Sequence, residues 1–307
     1  MHWRILARRV LGREGTFLLR NIVSSLSFYL RLIPPANIVG RENGISAITC
    51  TYNEEDWVEV SLLSLKDLVN EIVVLDSSTD RTPAIIEELH EKHNIPIRMY
   101  RIPLGDMVYV RNLGLSIAKY KWILIWDADF ILRDDSAPLI RELLESLDER
   151  KYYLIYWPHI CLDGDLWHQD PKSPLHIEHW LFTWNPKLHY KKVGHHDSLI
   201  AQLAYYNVIY IRRALSFHLR TVRSPKRLLY RHYRWLMRRE GLEGKSSLDE
   251  YVKKRILEDF GTEDIDLAAN LYFQKYLSNL AKYRRDIYGD YPQLLREHAK
   301  RKFNVEL

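Results

Sequence analysis

The stretch Lys121-Trp122-Ile123-Leu124-Ile125-Trp126-Asp127-Ala128-Asp129-Phe130-Ile131-Leu132 (KWILIWDADFIL) decides how this chain folds. Its five consecutive apolar residues, Trp122 to Trp126, suit a short strand covered on both faces. The run ends on two aspartates one residue apart, Asp127 and Asp129. Like charges held close at a poorly solvated strand end repel each other and call for a cation. A divalent ion with oxygen ligands satisfies that demand, and a diphosphate can complete its shell. The other reading of the pair is a turn or a helix cap, and the spacing alone leaves both open.

Upstream, short β-rich runs alternate with helical stretches. Residues 45–50 (ISAITC) read as strand, 57–68 as helix, 72–75 (IVVL) as strand and 83–93 as helix. Residues 97–101 then read as strand, 110–119 as helix and 122–126 as strand. This alternation predicts an α/β fold with a mostly parallel sheet covered by helices. Ligands of such sheets collect beyond the carboxyl ends of the strands. Thr51-Tyr52-Asn53-Glu54, Asp76 and the Asp127–Asp129 pair all fall there.

The middle third, 152–218, is irregular and rich in Trp, His and Tyr; strands are expected at 208–211 and 214–217. Beyond Pro225 the chain reads as polar helix, at 248–257, 267–284 and 294–302. Three regions follow: a basic amphipathic arm (1–41), an α/β catalytic domain (42–222) and a helical C-terminal region (223–307).

Composition narrows the partners. At 47% hydrophobic and 28% charged, a chain of 307 residues buries a sizeable core. Two cysteines, Cys50 and Cys161, supply neither a disulfide framework nor a metal-ligand spacing. The net charge of +5 and the pI of about 9.0 lean toward an anionic partner, a nucleotide or a phospholipid; no nucleic acid is expected. The most apolar stretch, 17–33, is interrupted by Arg20 and Arg31 and is too short and charged to span a bilayer. No signal-peptide pattern is expected either. Arg4, Arg8, Arg9 and Arg13, with Trp3, Phe17, Leu18, Leu19, Phe28 and Tyr29, suit a helix lying in a membrane interface. The same apolar residues could equally dock on the protein's own core.

Four ordered motifs give the reading its substance: Thr51-Tyr52-Asn53-Glu54-Glu55, then Glu71 to Thr82 (EIVVLDSSTDRT), then Val110-Arg111-Asn112-Leu113-Gly114, then KWILIWDADF. Together they resemble the family 2 glycosyltransferases, which carry such motifs in this order. The resemblance implies a GT-A fold (Rossmann-like, a mostly parallel mixed sheet), here with an N-terminal amphipathic arm and a C-terminal helical extension. It also implies inverting transfer from a nucleoside-diphosphate sugar, UDP- or GDP-linked, with Mn2+ or Mg2+ as cofactor. Under it, Thr51, Tyr52, Asn53, Glu54, Asp76, Arg111 and Asp127 bind the nucleotide sugar, and Asp127 and Asp129 hold the metal. The chain departs from the pattern where members often read two acidic or Asp-Thr residues before Gly-Ser-Thr-Asp: here Leu75-Asp76-Ser77-Ser78 stands instead.

The resemblance extends weakly to the middle third. Leu181 to Tyr190, then Val193-Gly194-His195-His196-Asp197, is similar to a subgroup pattern that places an acid after the histidine. Transfer to a hydroxyl needs a carboxylate to take its proton, so Asp197 is the candidate base. Its other reading is the cap of a helix at 199–206. His218 is placed by the resemblance as a further metal ligand. His176, Glu178 and His179 fall short of a zinc signature, and Asp163, Asp165, Trp167 and His168 have the make-up of a sugar-binding loop. Arg227, Arg231, Arg234 and Arg238 share one helix face, suited to phosphate or anionic lipid. Arg231 to Trp235 echoes a motif of membrane-bound processive relatives. The expected protein works at the cytoplasmic membrane face on a glycan or lipid-linked acceptor. The alternatives are a nucleotidyltransferase on a related sheet, which usually shows a Gly-rich phosphate loop missing from 45–54, or a non-catalytic basic membrane- or RNA-binding module.

Overall fold

Successive apolar runs lay down the strands β1 (Glu42–Thr51), β2 (Glu71–Asp76), β3 (Ile97–Arg101), β4 (Tyr120–Ile125), β5 (Tyr152–Tyr156) and β6 (Trp180–Thr183). A hairpin of β7 (His189–Val193) and β8 (His196–Ile200) follows, and then β9 (Tyr206–Tyr210). The structure is a computed structural model and describes residues 2–177, 180–194, 196–202, 205–242, 244–245 and 247–307. Among these, seven strands form one sheet in the order β9-β5-β6-β4-β1-β2-β3. β1 runs parallel to β2 and β4, β2 to β3 and β5 to β9, whereas β6 is antiparallel to both neighbours.

Alternation along the strands explains why β4 is apolar from Trp122 to its end. Trp122 and Leu124 pack with Ala47, Ile72 and Val74 on one face, under α2 (Val58–Leu63), α3 (Thr82–His93) and α5 (Ser136–Ser146). Ile123 and Ile125 pack with Ile48 and Leu75 on the other, against α4 (Met107–Ile117). A strand with period-two side chains and helices on both sides has no solvent face left for a polar residue.

Two compact units emerge, and they interleave along the chain. The first comprises Met1–His159, Ile177–Phe217 and Tyr291–Leu307, and so holds the whole sheet, the N-terminal helix α1 (His2–Tyr29) and the last helix, Gln293–Phe303. The second comprises Ile160–His176 and His218–Asp290, with α6 (Pro225–Arg239), α7 (Leu248–Phe260) and α8 (Ile265–Leu277) packed around Leu229, Tyr233, Val252 and Ala268.

Two helices expected from sequence are corrected. In place of a helix over 199–206, Asp197 and Leu199 lie in β8, because the hairpin turns at Gly194 (φ +64°) and buries Leu199 beside Tyr190. The stretch 267–284 is helical only to Leu277, where Ser278 caps the last turn and its hydroxyl donates to the Lys275 carbonyl. Glu178, His179 and His195, which the sequence reading singled out, lie outside the described residues.

Candidate active site

Each of the four motifs ends a strand or opens a helix at the carboxyl edge of the parallel strands. β1 stops at Thr51, whose hydroxyl donates to Asp76 Oδ1 at 2.6 Å. Asp76 ends β2 and is fully buried, and a buried carboxylate needs partners. Its second partner is Arg101, at the end of β3, which pairs with Asp76 and also donates to the Ser78 carbonyl at 2.6 Å. Thus the carboxylate expected to read a base already answers to Thr51 and Arg101. Arg101 went unnoticed in the sequence because it stands outside every motif.

The turn after β1 is built by reciprocal bonds with the loop after β2. Asn53 sits in the left-handed region (φ +56°), which asparagine tolerates. Its amide donates to Ser78 Oγ at 2.8 Å, while its Oδ1 accepts from the Thr79 amide at 2.8 Å. The Glu54 amide donates to Thr82 Oγ1 at 2.8 Å. Tyr52, Asn53 and Glu54 are half-buried along this rim. The Ser77-Ser78-Thr79-Asp80 segment therefore shapes the Asn53 loop as well as lining the edge.

Asp127 and Asp129 lie just past β4, half-buried in the turn that follows the strand. Trp126 fixes that turn: it is fully buried, and its indole N–H donates to Ser61 Oγ at 3.0 Å. On α4, Arg111 reaches to 3.9 Å from Asp127 Oδ1, and its guanidinium lies 5.4 Å from the centre of the Tyr190 ring. Burial works against the Arg111 charge, but Asp127 above all, with Tyr190, Cys50 and Asp197, holds its pKa above the ordinary value. The guanidinium is a permanent cation here. Burial pushes the Cys50 thiol up to about 12, with Arg111 pulling the other way, so Cys50 is a neutral wall residue rather than a nucleophile.

Asn112 joins this cluster to the hairpin. Its Nδ2 donates to the Tyr190 carbonyl at 3.1 Å and its Oδ1 accepts from the Tyr190 amide at 2.7 Å. That two-way bond pins β7 to α4. Asp197 is exposed on β8 across from Lys192, and it contributes to the field at Arg111. Asp127, Arg111 and Asp197 are thereby brought into one electrostatic neighbourhood. His218 ends the strand Ser216–His218 and is buried, within the second unit.

The weaker sequence candidates have partners within the protein. Asp163 is fully buried and holds Arg220 in a two-bond fork of 2.9 and 2.8 Å, and Asp165 is spent on His168 at 2.7 Å and on the Trp167 amide at 2.8 Å. On α6, Arg231 donates to the Arg220 carbonyl at 2.8 Å. Among the described residues no group of three or more His, Cys, Asp and Glu converges as a closed metal cage. The carboxylates that could hold an ion are Asp127, beside Arg111, and Asp129. Two hard carboxylates leave most of a six-coordinate shell to water or to a substrate's oxygens, and that chemistry fits Mn2+ or Mg2+.

The profile described as "Glycosyl transferase family 2" matches residues 46–216. Among curated proteins, the chain is 33% identical over 99 residues to the poly-beta-1,6-N-acetyl-D-glucosamine synthase of Staphylococcus epidermidis, covering 31% of this chain and 24% of that protein. It is 34% identical over 105 residues to the SPbeta prophage-derived glycosyltransferase SunS of Bacillus subtilis, covering 33% and 24%. The match thus spans about a quarter of the length of these relatives. Among solved structures, the mannosyltransferase PcManGT from Pyrobaculum calidifontis, in complex with GDP-Man and Mn2+, aligns at a TM-score of 0.43 and 16% identity, covering 86% of this chain and 92% of that one. The family profile takes in more than half of the chain, from within β1 to the strand at Ser216. This chain belongs to glycosyl transferase family 2, and its sheet, parallel except at β6, is of the GT-A class.

Proposed function

We propose that this chain transfers a sugar from a nucleoside-diphosphate sugar to an acceptor hydroxyl with a divalent ion, Mn2+ or Mg2+, on Asp127 and Asp129. The observation that supports the reading is the placing of Thr51, Asp76 and Asp127 at or just past the carboxyl ends of parallel strands, with Arg111 of α4 3.9 Å from Asp127. Bound there, the ion supplies charge neutralisation for the departing diphosphate. Arg111, held positive by its neighbours, adds a fixed cation beside the same group. Asp197 takes the proton as the acceptor oxygen bonds to the anomeric carbon. The oxygen attacks in line, from the face opposite the diphosphate, whose carbon–oxygen bond breaks with its electron pair, so the configuration inverts. Tyr52, Asn53 and Glu54 on the rim, with Asp76 beneath, would receive the nucleoside. Its acceptor is a glycan or lipid-linked hydroxyl presented at a membrane surface.

Calorimetric titration with UDP and GDP, with and without Mn2+ or Mg2+, tests the donor half. Metal-dependent binding is expected, and Asp129→Ala removes it. Equal binding by that variant refutes the metal assignment. Asp197→Asn is expected to bind donor normally and to lose transfer by about 10²-fold or more; full turnover in it sinks the base.

A further inference from the structure

The N-terminal helix carries apolar residues on its outward side as well as on the side that packs on the core. On the side toward the sheet Phe17 and Phe28 pack against the core, and polar contacts run beside them: Asn21 Nδ2 donates to the Val208 carbonyl at 2.9 Å, and Asn21 Oδ1 accepts from the Val208 amide at 2.5 Å. Ser24 Oγ donates to the Tyr205 carbonyl at 3.0 Å, and Arg20 to the Ala201 carbonyl at 3.3 Å. These bonds satisfy the backbone groups beside β9, and Phe17 stacks on Tyr156 with ring centres 5.8 Å apart. The outward side is apolar. Leu18, Ile22, Leu26, Tyr29 and Leu30 follow one another at helical spacing and are 49 to 71% exposed. A helix whose apolar residues all face its own core needs no further partner; here the stripe faces away from it. A contiguous apolar surface of several hundred Å2 marks an interaction site.

We infer that this outward stripe of α1 is a docking surface for an anionic lipid bilayer, with α1 lying in the plane of the headgroups. The charge around the stripe selects that occupant. At its C-terminal end Arg31 is exposed, Lys151 Nζ lies 5.2 Å from the Tyr29 ring centre, and the Arg150 guanidinium lies 5.7 Å from that of Phe28. At its N-terminal end the sequence carries Arg4, Arg8, Arg9 and Arg13 against Glu14. Gly12 (φ +66°, ψ −171°) breaks the helix between that basic segment, 2–11, and the stripe-bearing segment, 13–29. Cations at both ends of an apolar stripe match headgroup phosphates bordering acyl chains. In a pairing of two copies of this chain, parallel or antiparallel, basic ends would meet basic ends. None of the described helices is long and apolar enough to cross a membrane, and the binding inferred is along the surface. The inference deepens the reading of a membrane-presented acceptor and rests on it for its purpose, though not for its evidence.

Flotation of the full chain with phosphatidylcholine vesicles, with and without phosphatidylglycerol, tests this directly. Binding is expected only to the anionic vesicles, falling as salt rises. In the double variant Leu18→Asp, Leu26→Asp, bound protein is expected to drop about tenfold or more, with an unchanged thermal transition. Transfer to a water-soluble acceptor is expected to be unaffected in that variant. Wild-type binding equal to that of the variant, or no preference for the anionic vesicles, overturns the surface. So does concentration-dependent dimerisation in light scattering that the variant abolishes, because a second copy then covers the stripe. Vesicle binding without any donor turnover upholds the docking surface and refutes the transferase reading instead.

Discussion

Gly114 shows how closely the site depends on single residues. A Cβ built on it would stand 2.5 Å from Ile48 Cγ2 and 3.2 Å from Leu75 Cδ1. The glycine therefore lets α4 press against β1 and β2, and it sits three residues after Arg111 on the same helix. Alanine would gain up to ~1 kcal/mol in helix propensity but would lose ~1–3 kcal/mol to overpacking. Gly114→Ala is expected to lower stability by about 1 kcal/mol in denaturant titration, and to weaken donor binding as Arg111 shifts outward. A stabilised variant would show that the helix has room to retreat. The positions of Thr51, Asp76 and Asp127 at or just past strand ends were legible in the sequence because an apolar run stops at each of them. Arg101 and Asn112 were not legible as partners. Their bonds join positions 25 and 78 residues apart, and no local pattern announces such a contact.

At the scale of elements, the continuous apolar runs of β1, β2 and β4, buried on both faces, made the sheet readable, whereas the middle third misled. Its strands are short, and β7 exposes His189, Lys191 and Lys192 and buries only Tyr190, so a run with so few apolar residues reads as loop. The last helix was visible as a helix, but its task was not. His298, nearly fully buried, hydrogen-bonds through Nε2 to the Asp56 carbonyl at 2.7 Å. Arg301 donates to Glu59 at 2.7 Å, and Phe303 packs on Trp57 with ring centres 5.1 Å apart. The helix thus clamps residues 56–59, immediately after the Asn53 loop. Hydrogen bonding to His298 foremost, and the charge of Arg301, hold the Glu59 carboxyl below its ordinary value of 4.5 despite burial. A depressed carboxyl contributes stability that is present above its unfolded-state pKa and lost as pH falls through the folded-state one. The melting temperature of the wild type is accordingly expected to exceed that of Glu59→Gln near neutrality. The gap should close as pH drops below about 4.5, the unperturbed value. A gap that is constant down to strongly acid pH would assign the difference to packing instead.

The whole molecule is woven rather than strung, since its second unit is assembled from two stretches that are far apart in the chain, Ile160–His176 and His218–Asp290. Sequence reading cuts a chain into consecutive pieces and has no means of seeing this. Asp163 is the clasp between the two stretches. From the first stretch its buried carboxylate accepts from Arg220 through both oxygens, from the Thr221 hydroxyl at 3.0 Å and from the Asp170 amide at 3.2 Å. Burial opposes the charge of Arg220, but hydrogen bonding and attraction to Asp163 hold its pKa above the ordinary value, so the guanidinium keeps its charge. Gly164 fits beside it for a related reason. Its left-handed backbone (φ +76°) passes so near Leu277 that a Cβ would stand 2.6 Å from Cδ2. Breaking a buried ion pair by removing one partner costs ~3–5 kcal/mol, because the remaining charge keeps its desolvation without its compensation. Asp163→Ala is therefore expected to destabilise the second unit by about that amount. Limited proteolysis should then cut within 218–290 well before the sheet of the first unit is attacked. Asp163→Asn, which keeps the shape and part of the hydrogen bonding, should fall between the variant and the wild type. Equal protease resistance in all three proteins would mean that the helix packing around Leu229 and Val252 holds the two stretches together without the clasp.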